Sequence, residues 1–105
     1  MANVNPSKFV ELCEKGIKND DHKIRLQVAR PLGSLASIDK SKFIQLHEEG
    51  IKDKNNYVRQ ATAESLDALV NINPDRFVQL CVKGMKNNDQ FIMGGTAKTL
   101  GALAN

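Results

Sequence analysis

Apolar residues fall at helical spacing twice in every thirty-four positions of this chain. Phe9, Leu12, Cys13, Gly16 and Ile17 follow i, i+3, i+4, i+7, i+8, and Ile24, Val28, Pro31, Leu32 and Leu35 form a second such face. Each set defines one side of an amphipathic helix. Between them a polar run at 18–22, rich in Asn and Asp, predicts the end of one helix and the cap of the next, and it recurs at 52–56 and 86–90. Pro6 and Pro74 suit a first helical turn behind Asn5 and Asn73 as caps, while Asp39 and Ser41 offer caps between them. Strand patterns are absent, so the fold class is all-α.

The pattern repeats because the sequence does. "NVNPSKFVELCEKGIKNDD" from Asn3 and "NINPDRFVQLCVKGMKNND" from Asn71 share twelve of nineteen residues, and a weaker copy lies midway. The units are residues 5–38, 39–72 and 73–105 of a single repeat domain. Phe9, Phe43 and Phe77 align, as do Gly16, Gly50 and Gly84; Ala29, Ala63 and Ala97; Leu32, Leu66 and Leu100; and Leu35, Leu69 and Leu103. A lone pair of helices this short cannot bury its apolar face. The expected architecture is therefore an α-α superhelix, a short solenoid of three stacked helix pairs.

Other properties narrow the class. At 105 residues the chain has room for one modest core, and 41% apolar with 26% charged residues is an ordinary composition for a soluble protein. No apolar run approaches the roughly 20 residues needed to cross a bilayer, and no secretory leader is evident, so a cytoplasmic setting without membrane attachment is expected. The formal charge of +3 permits an acidic partner without requiring one.

A thirty-four-residue period without the Trp, Leu-Gly and Tyr pattern or a Thr-Pro-Leu-His signature fits neither tetratricopeptide nor ankyrin repeats. The second helix of each unit reads instead as two Asx residues, Val or Ile with Arg, small residues, and Leu-Gly-x-Leu. In the first copy these are Asn19, Asp21, Ile24, Arg25, Val28, Ala29, Leu32, Gly33 and Leu35. This pattern resembles HEAT-like repeats, of the type found in phycobilisome lyases and armadillo-like arrays, over essentially the whole chain. The resemblance implies scaffold, adaptor or regulatory roles. It also implies that Arg25 and Arg59, with the Asx residues at 19, 21, 53, 55, 87 and 89 (Asp21, Asn55 and Asp89 among them), form a structural ladder between units. Two departures stand out. The family's Arg is Met93 in the third copy, followed by Gly94 and Gly95, which cost about 2 kcal/mol of helix stability and should make that helix the weakest. Pro31 should kink the first copy's second helix near Val28.

Catalytic chemistry finds no foothold. Cys13, His47 and Cys81 share a column, but neighbouring helices stand roughly 8–10 Å apart, too far for ligands of one zinc ion. They read as packing residues, with free thiols. His22 and His47 have no carboxylate or nucleophile at a telling spacing, and Gly94-Gly95 lacks the Lys and Ser/Thr of a phosphate loop. The chain is expected to be no enzyme and to need no cofactor.

What remains is surface. The resemblance places the second helices on the concave face, where the outward positions are Leu26, Gln27, Arg30 and Ser34; Gln60, Ala61, Glu64 and Ala68; and Gly94, Gly95, Lys98 and Ala102. This face is small and weakly polar, open to another protein's helix or an extended peptide. Tyr57 and Phe91 are the candidate anchors. An alternative is polyanion or nucleic-acid binding through Lys8, Lys42 and Arg76 or Lys18, Lys52 and Lys86, although Glu11, Glu14, Glu48 and Glu49 dilute any basic track. A second alternative is a regulatory or lyase-type subunit of an enzyme. The units begin and end on repeat boundaries, and the last is as apolar as an internal one. A piece of a longer array, or self-association through open solenoid ends, is expected on that ground.

Overall fold

Among the described residues, 5–104 of a computed structural model, all regular structure is helical and there is no strand. Helices α1 (Pro6–Gly16), α2 (His22–Ala29), α3 (Lys40–Gly50), α4 (Asn56–Glu64), α5 (Pro74–Met85) and α6 (Gln90–Ala104) follow one another as three pairs. Side-chain caps start them. Asn5, Asp39 and Asn73 accept backbone N–H groups at the heads of α1, α3 and α5, and Asp21, Asn55 and Asp89 do so for α2, α4 and α6.

The first helix of each pair meets the second at a glycine. A Cβ on Gly16 would run into Val28, on Gly50 into Thr62 and on Gly84 into Thr96, so the recurring glycine allows the two backbones to cross closely. Thr62 and Thr96 turn their hydroxyls back onto the carbonyls of Val58 and Ile92, at 2.7 and 2.8 Å. Both Oγ1 and the methyl group of each threonine lie over the facing glycine.

The second helices depart from expectation. Rather than kinking at Val28, α2 ends at Ala29, because Pro31 has no N–H to continue the ladder; the chain resumes as a 3₁₀ segment over Leu32–Ser37. The second unit breaks too, without a proline. Backbone N–H groups at the Ser65 cap bond to the carbonyls of Ala61, Thr62 and Ala63, the Ser65 hydroxyl donates to the Thr62 carbonyl, and Ser65–Leu69 tightens into 3₁₀ form. These two segments pack on each other, with Gly33 directly against Ala68 and the Ser65 carbonyl. By contrast α6, the helix carrying Gly94 and Gly95, runs unbroken for 15 residues. Gly95 lies against α4, where a Cβ would stand 2.7 Å from the Gln60 carbonyl oxygen and 2.8 Å from the Ala63 Cβ. Close packing on α4 supports the helix that intrinsic propensity alone would weaken.

Successive pairs lie side by side: α2 packs on α4, and α4 on α6. One apolar cluster threads them, with Leu32, Leu35, Phe43, Leu46, Val58, Leu66 and Leu69 buried to 1% exposure or less. The radius of gyration is 12.9 Å, matching the about 13 Å of a compact chain of this length. No helix among the described residues is long and apolar enough to cross a membrane.

Candidate interaction surface

The turns inside each pair are built alike. Asn19, Asp53 and Asn87 each accept the N–H two residues on, at 2.8 Å, holding the chain in an Asx turn before the capping residue. Arg25 reaches back to the carbonyls of Asn19 and Asp20, at 2.8 and 3.0 Å, and forward to the next pair. There its Nε and Nη2 grip Asp53 at 2.7 and 3.1 Å, both side chains more than nine-tenths covered. Hydrogen bonding to Asp53 raises the Arg25 pKa, against the opposing effect of burial.

The next junction differs. Position 87 is Asn, not a carboxylate, and Arg59 takes Asp89 instead, at 2.8 Å, while its Nη1 holds the Asp53 carbonyl at 2.8 Å. Burial would raise the Asp89 pKa, yet N–H bonds from Ile92 and Phe91, together with Arg59, bring it below the usual carboxylate value. The Arg59 Nε is buried without a partner. Of the ladder residues read from the sequence, Arg25, Arg59, Asp53 and Asp89 thus bridge pairs, Asp89 while also capping α6, whereas Asp21 and Asn55 cap helices.

The second-helix face forms a groove of about 570 Å³. All three pairs contribute: Arg30 and Ser34 from the first, Ala61, Glu64 and Ala68 from the second, Lys98 and Ala102 from the third. Pro31, Gly33, Ser65, Asp67 and Thr99 complete it. The charges are balanced, Arg30 and Lys98 against Glu64 and Asp67, and Lys98 stands 3.6 Å from Glu64. Alanines and short hydroxyl side chains form the floor, so an incoming chain can approach the backbone closely.

Some outward positions lie elsewhere. Leu26 is half-buried against the core, Gly95 is buried on α4, and Gln27 is exposed outside the groove lining. Gln60 is half-buried and donates to Glu64 at 3.2 Å. Tyr57 and Phe91 meet edge to face with ring centroids 6.0 Å apart, Tyr57 62% exposed. Both sit in the first turns of α4 and α6, and Tyr57 is seven residues, about 10 Å of helix, from Glu64. They form a separate aromatic pair beyond the groove's end. Pro31, which read from sequence as a kink in the second helix, becomes part of the groove by ending α2 there.

The Cys13–His47–Cys81 column is buried, and burial raises the pKa of both thiols. His47 packs on Phe43 and borders a cavity of about 20 Å³ shared with Leu80, Lys83 and Thr96. Neither ring nitrogen has a hydrogen-bond partner. Burial first, then the nearby positive charges of Lys83 and Arg76, lower its pKa to about 4, which leaves a neutral imidazole at pH 7. No group of three or more His, Cys, Asp or Glu side chains among the described residues is arranged to hold a metal. In the first basic column, Lys8 pairs with Glu11 at 3.3 Å, a carboxylate it shares with Lys15 at 3.6 Å, and Lys42 bonds Glu14 of the preceding pair at 2.7 Å.

No family model, curated protein or solved structure matches the chain.

Proposed function

We propose that this chain is a HEAT-like α-solenoid of three units whose function is to bind another protein, taking a helix or extended peptide segment along the second-helix face. The observation that carries this reading is the groove of about 570 Å³, to which every pair contributes and which is floored by small residues. A continuous surface built one unit at a time is what stacked repeats provide. The repeated Arg and Asx contacts between turns support the stacked reading, since they bridge each pair to the next.

The balanced charge of the groove favours contact by shape and hydrogen bonding over capture of a polyanion. Lys8 and Lys42 of the first basic column are paired with Glu11 and Glu14, which weighs the same way. No catalytic role is proposed.

The test is selection of a random peptide library on the purified protein, with binders re-measured against Ala102→Trp, an exposed position where the larger ring fills the groove. Binders should weaken at least about tenfold on the variant while losing little affinity between low and physiological salt. Binders indifferent to Ala102→Trp would place recognition elsewhere. Retention of single-stranded or duplex DNA with a steep salt dependence would favour the polyanion alternative.

A further inference from the structure

The outer face of the third pair differs from the faces buried between pairs. Leu32 and Leu66 are 0% and 1% exposed because the following pair covers them, but their counterpart Leu100 is 39% exposed. Leu35 and Leu69 are fully buried, and Leu103 is 42% exposed. Together with Val78, Val82, Met85 and Met93, these residues form an outward face of α5 and α6 whose members are 37% to 55% exposed. Around Phe77, Val78, Cys81, Val82, Met85 and Leu100 the face hollows into an apolar depression of about 300 Å³, with Lys86 the one charged residue lining it.

Two substitutions within the columns identify what fits this face. At the junction of the first two pairs the outgoing contacts include charged groups, Arg25 to Asp53 and Glu14 to Lys42. In the third pair the corresponding residues are Met93 and Val82. Another pair stacked head to tail would bring a carboxylate opposite Met93 and a cation opposite Val82, both without partners. A copy of the same face brings only apolar side chains, while each Lys86 can run its ammonium out along its aliphatic stem to the rim.

We propose that the α5–α6 face is a self-complementary interface that joins two copies of this chain about a two-fold axis. The exposed parts of the six side chains, over two copies, amount to roughly 1,000 Å², at the lower limit for a specific interface, so the dimer is weak and reversible. The groove on the second-helix face is a different surface, and the dimer does not depend on the groove's role.

Sedimentation equilibrium of the full chain from low to high micromolar concentration, with circular dichroism as the check on folding, tests this. The expected mass rises from 11.6 kDa to twice that value and stops. Val82→Glu, which restores the residue type found at Glu14 and Glu48, should raise the dissociation constant at least about a hundredfold by burying an unpaired charge, with helix content unchanged. Leu12→Glu, on the opposite and exposed face of α1, should leave the dimer intact. A mass that stays at one chain, a mass that climbs past two, or an assembly broken by Leu12→Glu and not by Val82→Glu would each overturn the proposal.

Discussion

His47 is held neutral by its surroundings, and that has a measurable consequence. Its folded pKa of about 4 lies below the ordinary 6.5, so the unfolded chain binds a proton that the folded chain rejects across that interval. The stability associated with the neutral ring is fully present above pH 6.5 and is lost as pH falls towards 4, by about 3 kcal/mol. Urea unfolding at pH 7, 6, 5 and 4 should show this decline, and His47→Leu should flatten it. The two bridging arginines differ in how far their ion pairs are covered. Replacing Arg25 with Met, the residue the third unit carries at this column, strands Asp53 in a covered site and should cost about 3 kcal/mol. Arg59→Met acts on a more open pair and should cost nearer 1 kcal/mol. Equal losses in chemical denaturation would contradict the difference in burial. The recurrence of Arg and Asx was legible in the sequence, but the choice of carboxylate was not. Asp53 and Asp89 sit at different points of the turn, and the switch follows from position 87 being Asn, whose amide cannot replace a carboxylate for the guanidinium.

Adjacent glycines in α6 separate helix propensity from packing. Nothing lies within 4 Å of a Cβ added at Gly94, so Gly94→Ala should stabilise the protein by about 1 kcal/mol through helix propensity alone. Gly95→Ala should destabilise it despite the same gain, because the new methyl meets the backbone of α4. Thermal melts of the two single variants should therefore move in opposite directions. From sequence, both glycines read as outward positions that weaken their helix alike, since propensity contains no information about a neighbouring helix. The same limit explains the second unit, where no residue marks the change from α4 to 3₁₀ form. That change depends on Ser65 bonding locally and on the two 3₁₀ segments packing together. The helix starts, by contrast, were readable, because Asn5, Asp21, Asp39, Asn55, Asn73 and Asp89 act within their own first turns.

At the scale of the molecule, period and column together indicate which side chains share a surface. Arg30, Ser34, Ala61, Glu64, Ala68, Lys98 and Ala102 converge on one groove, as their common register in the second helices suggests. Register cannot say how deep the groove is, nor that Tyr57 and Phe91 lie past its end. Those depend on where α2 and α4 stop. The most direct test of the groove as the binding surface is an amide chemical-shift map of the protein titrated with a peptide selected on it. The largest shifts should fall on Arg30, Ser34, Ala61, Glu64, Ala68, Lys98 and Ala102. Shifts confined to the α5–α6 end face, or to the Lys8, Lys42 and Arg76 column, would contradict it.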